Sequence, residues 1–313
     1  MTADALLPAL TAQAVRAAHH RATGGCPCEA AVLAVRPDAT VVRHAGAVAK
    51  AHAPGTDPGP LALRLTTAAR LPEILLPPLT AEPAPLHDRL VTLWPYGAPV
   101  DPDDPDAAPW EAAATLLALL HRSPAPAGLP PMRGPAKAAQ AMARLHAAAP
   151  DHPGARAVAR AWATLPGWAR AEAPMPGPGS LCHGDLHLGQ LVRHPAPDGP
   201  WKLIDVDDLG VGVPSWDLGR PAAWYACGLL PPTAWTRFLA AYRAAGGPAV
   251  SPAGDPWEAL DTAARALTVQ TAALAVAKAT EAGRPVDEVE QAVVDACDRM
   301  SRLPPRLADD TPK

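Results

Sequence analysis

Two short polar segments in the second half of the chain constrain its chemistry more than any other part of the sequence. The first, HGDLHLGQ, covers residues 183–190, and the second, LIDVD, covers residues 203–207. Asp185 and Gln190 are expected on one tight loop, and Asp205 at the end of the next strand. Phosphoryl transfer to a hydroxyl needs a carboxylate that accepts a hydrogen bond from the attacking group and separate oxygen ligands for Mg²⁺. The order of the three residues along the chain matches base, first metal ligand and second metal ligand.

The longer pattern around these segments resembles a known family. HGDLHLGQ followed by LIDVDDLGVGVPSWDLG is similar to the aminoglycoside-phosphotransferase and choline-kinase-like branch of the protein-kinase fold, whose usual pattern is HGDxHxxN, then IDxD or IDWE, then GxPxxDLA. The match spans residues 183–219. The resemblance implies that Asp185 is the catalytic base, that Gln190 and Asp205 are Mg²⁺ ligands, and that Asp217 is a structural acid.

Several details within the matched pattern need separate interpretation. Gln190 stands where the family usually has asparagine, and it offers the same amide oxygen on a longer side chain. A GDLHLGQ loop is also familiar from maltokinase-like members. Asp207 and Asp208 are further candidate metal ligands, although adjacent acids after a metal-binding carboxylate are as often solvated loop charges. The Gly-Val-Gly sequence at 210–212 lacks the third glycine of a dinucleotide fingerprint and is interpreted as a turn.

The N-terminal third of the chain has the pattern of a small sheet. Residues 1–21 have helical spacing, and AAVLAV, TVVRHA and AVAKAHA are short, valine-rich and separated by turn signals, which predicts three consecutive antiparallel strands. A short helix, LALRLTTAARL, should follow and end before Pro72. Two further strands are predicted over ILLPPL and RLVTLW, and the double proline confines the first to a sheet edge.

Nucleotide-binding residues are expected on this sheet. Lys50 lies on the third predicted strand, where kinases place the lysine that contacts nucleotide phosphates. Its usual partner is a glutamate on the following helix, which has none here, so either Glu73 reaches back to Lys50 or the lysine has no pair. Backbone groups around the last strand are expected to bind the nucleotide base, at Leu93, Trp94 and Tyr96.

The segment patterns together predict the fold class and its division. A stretch dense in Pro, Asp and Gly, WPYGAPVDPDDPDAAP, separates the sheet-rich part from strongly helical segments. We therefore predict an α+β, bilobal protein-kinase-like fold. An N-terminal nucleotide-binding lobe with a small antiparallel sheet is expected over residues 1–95, and a larger helical, catalytic and acceptor-binding lobe over residues 96–313.

Charge and hydropathy exclude several classes of partner. The formal net charge is −4, and no block of Lys or Arg is long enough for a nucleic-acid arm or a membrane patch. The N-terminus lacks the pattern of a signal peptide, and no apolar run reaches the roughly 18 residues of a membrane helix. We expect a soluble, cytoplasmic monomer or homodimer with a small-molecule partner and neither nucleic-acid nor membrane binding.

The five cysteines form an odd and scattered set. Cys26 and Cys28 are separated by one residue and not by the two typical of zinc knuckles, and no second pair follows. We interpret the cysteines as reduced structural thiols and not as a zinc site.

Together these features predict a Mg²⁺-dependent kinase for small molecules. It would move the γ-phosphate of ATP or GTP to a hydroxyl of an antibiotic, a sugar or a related metabolite, and antibiotic resistance is one role of such an enzyme. The alternative is a degenerate kinase-like protein that binds a nucleotide or a partner without transfer. Three features favour that alternative: Gln190, the missing helix glutamate and the glycine-free loop at 36–39.

Only a modest number of acids follow residue 219, so a polycationic aminoglycoside is not favoured over other acceptors. Examples of these acids, often at helix starts, are Asp255, Glu258, Asp261 and Glu281.

Overall fold

The computed structural model describes residues 3–19 and 28–302, which form two compact units. The first unit contains the described residues up to Pro109 together with Pro126–Pro130 and Leu188–Asp207. The second contains Trp110–Ala125, Pro131–His187 and the described residues from Asp208 onward. The units are therefore not consecutive along the chain, and the division predicted at residue 95 stays a prediction. Cys26 lies outside the described residues.

The first unit is built on a five-stranded antiparallel sheet. Its strands are β1 (Ala30–Val35), β2 (Ala39–His44), β3 (Ala47–His52), β4 (Ala84–Leu86) and β5 (Arg89–Pro95). The order across the sheet is β1-β2-β3-β5-β4. The three consecutive antiparallel strands predicted from the valine-rich segments are confirmed, as is the strand over RLVTLW.

Two helices accompany this sheet. Helix α1 (Ala3–Ala18) places Leu6, Leu10 and Ala14 on one face, because side chains four residues apart share a face of a helix. That face packs on buried residues of β2, β3 and β5. Helix α2 (Pro58–Arg70) confirms the predicted short helix, and the side chain of Asp57 caps its first turn by accepting from the backbone N of Gly59.

The prediction of a strand over ILLPPL is wrong. This segment forms a turn and one isolated bridge between Leu75 and Leu203, and the edge strand is β4. Pro77 and Pro78 have no N–H to give to a ladder. The apolar run that suggested a strand reflects burial of Leu75 and its neighbours in the core.

A second, three-stranded sheet completes the first unit. It contains β6 (Ala98–Pro99), β8 (Leu191–Arg193) and β9 (Trp201–Leu203), in the order β6-β8-β9, and both pairings are antiparallel. A 3-10 turn over Leu188–Gln190 precedes β8, and Asp205 follows β9.

The second unit is largely helical. Its helices are α3 (Trp110–Arg122), α4 (Gly134–Ala148), α5 (Pro153–Ala163), α6 (Ser215–Ala226), α7 (Pro232–Ala244), α8 (Trp257–Glu281) and α9 (Glu288–Ser301). Helix α8 is central, since it contacts α4, α5, α6 and α9. Its buried residues are mostly alanine and valine, and such small side chains let the neighbouring helices approach closely. No helix among residues 3–19 and 28–302 is long and apolar enough to cross a membrane.

A two-stranded sheet lies in the same unit, formed by β7 (Ser180–Cys182) and β10 (Gly210–Gly212). Gly210 pairs with Cys182 and Gly212 with Ser180. The interpretation of Gly-Val-Gly as a turn is therefore wrong. Gly212 lets strand β10 lie beside Met132. A Cβ at this position would be only 2.5 Å from the Cγ of that methionine. The HGD segment begins directly after β7.

Candidate active site

An ammonium group and two carboxylates meet in the first unit. Lys50 lies in β3, while Asp205 and Asp207 follow β9. The Nζ of Lys50 lies 2.6 Å from the Oδ1 of Asp205 and 2.9 Å from the Oδ2 of Asp207. Asp205 has a left-handed φ of 63°, a conformation that aspartate adopts more readily than most residues. The first unit thus brings together three of the residues that the sequence singled out.

The partner of Lys50 differs from both alternatives drawn from the sequence. Glu73 does not reach back to Lys50, since its Oε2 lies 3.5 Å from the Nζ of Lys202 and its side chain is almost fully exposed. Lys50 does have partners, because the carboxylates of Asp205 and Asp207 compensate its charge. The sequence of the following helix could not reveal this, since both acids lie more than 150 residues away along the chain.

A line of hydrogen bonds supports Asp207 from the sheet. The Nδ1 of His52 lies 3.3 Å from the Oδ2 of Asp207, and its Nε2 lies 2.9 Å from the hydroxyl of Thr92. The indole N–H of Trp94 donates to the same hydroxyl at 2.9 Å. Because an ionised carboxylate can only accept, the Nδ1 of His52 donates to Asp207. The carboxylate of Asp207 is therefore oriented by a buried network.

The charges of this cluster reinforce one another. Burial by itself would lower the pKa of Lys50, but the carboxylates of Asp205 and Asp207 raise it above its ordinary value. Burial would likewise raise the pKa of Asp207, yet the Lys50 ammonium and the hydrogen bond from His52 hold it far below its usual range. Lys50 is therefore charged and Asp207 ionised at neutral pH.

Gln190 is buried at the end of the 3-10 turn that precedes β8. Its backbone carbonyl accepts a hydrogen bond from the N–H of Ile204 at 2.9 Å. Leu191 and Leu203 are paired in the adjacent ladder, so Gln190 and Asp205 leave the β8–β9 pair at the same end. The turn containing Gln190 is thus fixed beside the segment that contains Asp205.

The three residues proposed for the nucleotide base lie at the end of β5, and several of their polar groups already form hydrogen bonds within the protein. The carbonyl of Leu93 accepts from the N–H of Leu79, and the N–H of Tyr96 donates to the carbonyl of Gly46, both at 2.8 Å. The indole of Trp94 is buried in the network of Thr92. The assignment of these residues to nucleotide binding stays a prediction.

A second charged cluster lies in the second unit, around Asp185. The Oδ2 of Asp185 lies 2.7 Å from the Nζ of Lys137, and its Oδ1 lies 2.8 Å from an Nη of Arg220. Lys137 also contacts the Oδ2 of Asp208 at 2.8 Å. Arg220 makes a further bond from Nε to the carbonyl of Leu186. Two cations thus fix both oxygens of the Asp185 carboxylate.

These contacts set the ionisation of the two acids differently. Burial by itself would raise the pKa of Asp185, but the charges of Lys137 and Arg220 outweigh it and hold that pKa well below its usual range. For Asp208, burial dominates and raises the pKa, with the nearby Asp185 carboxylate adding to the effect and Lys137 opposing it. Asp185 is therefore ionised at neutral pH.

Asp217 fixes the loop that presents Asp185. Its completely buried carboxylate accepts hydrogen bonds from the backbone N–H of His183 at 2.6 Å and of Gly184 at 2.7 Å. It also lies 3.0 Å from the Nε2 of His121. Gly184 has a φ of 86°, which only glycine adopts without strain. The backbone before Asp185 is therefore set by one buried acid and one glycine.

Sequence reasoning missed three residues that contact the predicted ones. Arg220 follows Asp217 by one helical turn in α6, and His52 follows Lys50 by two positions in β3, so both could have been found from helical or strand spacing. Lys137, in the first turn of α4, gave no such local signal, because its contacts depend on tertiary packing. Asp208, which the sequence offered as a candidate metal ligand, contacts Lys137 in the second unit.

Fold and charge clusters together define a kinase-like α+β protein. The chain belongs to the phosphotransferase enzyme family known as APH, whose family model matches residues 16–261. Members of this family are small-molecule phosphotransferases that use ATP with Mg²⁺. No curated protein sequence matches the chain significantly.

Solved structures share the fold. A choline/ethanolamine kinase family protein from Mesorhizobium loti is 17% identical, with a TM-score of 0.59 and coverage of 94% of this chain and 95% of that chain. A spectinomycin phosphotransferase, solved with ADP and spectinomycin, is 14% identical, with a TM-score of 0.57 and coverage of 88% and 93%. An aminoglycoside phosphotransferase from Streptomyces rimosus is 21% identical, with a TM-score of 0.55 and coverage of 84% and 98%. These likenesses establish the kinase-like fold of the chain.

Proposed function

We propose that this chain transfers the γ-phosphate of ATP or GTP to a hydroxyl of a small molecule, with Asp185 as the catalytic base. The observation that carries the proposal is the state of Asp185, an ionised carboxylate whose two oxygens are held by Lys137 and Arg220 at 2.7 and 2.8 Å. A carboxylate has about four lone-pair positions, so each oxygen can still accept a hydrogen bond from an acceptor hydroxyl.

A weakly basic Asp185 suits this reaction. Phosphoryl transfer passes through a loose transition state in which the nucleophile needs orientation more than early deprotonation. Asp185 would therefore orient the hydroxyl by accepting its hydrogen bond and take its proton late. Asp217 acts through the backbone of His183 and Gly184 and is a positioning residue.

Gln190, Asp205 and Asp207 are the proposed Mg²⁺ ligands. The donor chemistry supports this assignment, since Mg²⁺ prefers carboxylate and amide oxygens. The contacts of Lys50 support it as well, because two of these carboxylates, Asp205 and Asp207, converge on its positive charge. Bound Mg²⁺ supplies charge neutralisation to the phosphate oxygens.

Lys50 is proposed to contact the nucleotide phosphates directly. Its raised pKa keeps it charged, and Asp205 and Asp207 hold the end of its flexible side chain in one place. Leu93, Trp94 and Tyr96 are proposed to border the nucleotide base.

The acceptor is proposed to be neutral or weakly charged, such as a sugar, a nucleoside antibiotic or a related hydroxylated metabolite. Three of the four acids noted beyond residue 219 already have partners. Asp261 pairs with Arg265, Glu281 pairs with Arg144, and Asp255 accepts from the backbone N–H of Trp257. Few acids therefore remain for a polycationic aminoglycoside, and antibiotic resistance stays one proposed role among several.

The test is nucleotide turnover with Mg²⁺ across a panel of sugars, nucleoside antibiotics and aminoglycosides, for the wild type and for Asp185→Asn. Acceptor-dependent turnover that falls by a factor of about 10² or more in the variant would support the proposal, since general-base catalysis contributes typically 10²–10⁴-fold. Asp255→Asn is the matched control, because it makes the same chemical change at an exposed acid.

Calorimetric titration of the same proteins with nucleotide separates the alternatives. Tight Mg²⁺-nucleotide binding without turnover on any acceptor would favour the degenerate kinase-like protein. Absence of nucleotide binding would contradict the kinase assignment altogether.

A further inference from the structure

Three potential metal ligands that have no role in the proposed phosphoryl transfer converge in the first unit. His19 directly follows α1, Cys28 lies two residues before β1, and His44 is the last residue of β2. Ala30 and His44 are partners in the β1–β2 ladder, so Cys28 enters the sheet next to His44. The ligand atoms of His19, Cys28 and His44 all lie within 4.8 Å of one another.

The two histidines have buried ring nitrogens that hydrogen bonds do not explain. His44 is 4% exposed, and within the described part of the chain neither of its ring nitrogens has a hydrogen-bond partner. The Nε2 of His19 is likewise buried without one. Leaving a buried polar atom unpaired costs about 1–3 kcal/mol, and most such atoms in native proteins have a partner. A ligand bound by these nitrogens would remove that cost.

The geometry suits a transition metal. The rings of His19 and His44 meet edge to face, with centroids 5.2 Å apart and an interplanar angle of 83°. Tetrahedral Zn²⁺ with Zn–N bonds near 2.0–2.1 Å and a Zn–S bond near 2.3 Å separates its ligand atoms by roughly 3.3–3.6 Å. The observed atoms therefore need to approach by no more than about 1.5 Å, and exposed Cys28 has room to move.

A second group of potential metal ligands shows what a satisfied cluster looks like. His121, Cys182 and Asp217 also bring their ligand atoms together. There His121 bonds through one ring nitrogen to the hydroxyl of Tyr242 at 2.7 Å and through the other to Asp217 at 3.0 Å. That cluster is a hydrogen-bonded part of the core, and its bonding leaves no buried imidazole nitrogen to explain.

We propose that His19, Cys28 and His44 form a binding site for a thiophilic divalent metal, with Zn²⁺ as the expected ion. Two imidazoles and a thiolate favour Zn²⁺ over the hard cations Mg²⁺ and Ca²⁺, which prefer oxygen ligands. Water completes the coordination. The bound ion links the end of α1 to the β1–β2 pair, and it stabilises the first unit against unfolding. The cysteine spacing that argued against zinc in the sequence is not relevant, since two ligands are histidines brought close by the fold.

The test uses the tag-free full-length chain, stripped of metal with a chelator and titrated with Co²⁺, whose visible absorption reports thiolate ligation. Zn²⁺ is then added to displace the Co²⁺. The variants are His19→Ala and Cys28→Ser, both at residues that are not fully buried. The controls are His146→Ala, at an exposed histidine of α4, and Cys227→Ser, in the second unit.

One equivalent of Co²⁺ should bind to the wild type and both controls, with a thiolate-to-metal absorption band, and Zn²⁺ should displace it. Each ligand variant should weaken binding roughly tenfold or more, since even outer-shell partners of a metal site are worth 10–100-fold. The band should disappear in Cys28→Ser, and Zn²⁺ should raise the melting temperatures of the wild type and of both controls but not those of the ligand variants. Absence of stoichiometric binding, or unchanged affinity in either ligand variant, would overturn the site.

Discussion

At the scale of single residues, Asp217 shows how one buried acid can determine the shape of a loop. Each of its two oxygens accepts from a backbone N–H, those of His183 and Gly184. In Asp217→Asn, one of these N–H groups must face an amide NH₂, so a charge-assisted bond is lost and a buried donor is left unpaired. We expect a loss of about 2–4 kcal/mol in the free energy of unfolding, measured by urea denaturation.

The matched control for this prediction is Asp255→Asn. Asp255 is exposed and accepts one bond from the N–H of Trp257, which an asparagine oxygen can also accept. The control should change stability by less than about 0.5 kcal/mol. Equal losses of unfolding free energy in the two variants would show that the hydrogen bonds from the loop to Asp217 do not explain the destabilisation.

A second residue-scale prediction concerns the pair of Asp185 and Arg220. Because the folded-state pKa of Asp185 lies below its unfolded value, the pair contributes stability that is present above the unfolded pKa and is lost as pH falls toward the folded pKa. The destabilisation caused by Arg220→Met should therefore be larger near pH 7 than at about pH 3, below the unfolded pKa of about 3.9.

A double-mutant cycle with Asp185→Asn measures this interaction directly. We expect a coupling of about 1–3 kcal/mol near neutral pH, as for contacting charged residues. Because Arg220 also donates to the carbonyl of Leu186, part of its effect will persist in the Asp185→Asn background. A pH-independent effect of Arg220→Met would show that its charge does not act on Asp185.

Sequence reasoning found the candidate residues themselves but not what holds them. Asp185, Gln190 and Asp205 stand in a local pattern that a linear motif can report. Lys137 cannot be found in this way, since it lies 48 residues from Asp185 along the chain. The partners of Lys50 could not be found for the same reason, since both carboxylates come from the segment after β9.

At the scale of elements, the turn between β7 and Asp185 depends on a glycine for two separate reasons. Gly184 has a φ of 86°, and a Cβ there would lie 2.5 Å from the backbone oxygen of Asp208. Gly177 has a similar φ of 78° but nothing within 4 Å of its Cβ position. Alanine at either site costs roughly 1–2 kcal/mol from the left-handed conformation, while only Gly184→Ala adds a clash.

We therefore expect Gly184→Ala to lose about 1–3 kcal/mol more stability than Gly177→Ala, the usual cost of overpacking. Urea denaturation of the two variants measures the difference. Equal losses would show that the turn relaxes away from Asp208 without cost.

The patterns of regular elements were predicted well where side-chain periodicity alone decides them. Strands β1 to β3 and helix α2 follow from valine-rich runs and turn signals. The errors lie where a short segment is apolar for another reason, as in ILLPPL, or where glycine forms a strand, as in β10. In ILLPPL the two prolines have no N–H to give to a ladder, and in β10 the pairing with β7 decides the outcome.

At the scale of the whole molecule, the proposed roles are divided between two compact units. Lys50, Gln190, Asp205 and Asp207 belong to the first unit, whereas Asp185 and its cations belong to the second. Metal-nucleotide binding and phosphate transfer should therefore respond to different substitutions. A ligand that binds only the folded protein stabilises it by about 2.7 kcal/mol when present at 100 times its Kd.

Thermal stability in the presence of nucleotide should distinguish the roles of the two units. Saturating Mg²⁺-ATP or Mg²⁺-GTP should raise the melting temperature of the wild type and of Asp185→Asn by similar amounts, because the substitution in the second unit leaves the proposed metal ligands intact. Asp205→Asn should lose the Mg²⁺-dependent part of the shift, measured as the difference between samples with Mg²⁺ and with chelator. Asp103→Asn, at an exposed acid of the proline-rich segment, is the control and should behave as the wild type. If Asp205→Asn retained the full Mg²⁺-dependent shift, the proposed metal ligation by the segment after β9 would be wrong, whatever the transfer assay showed.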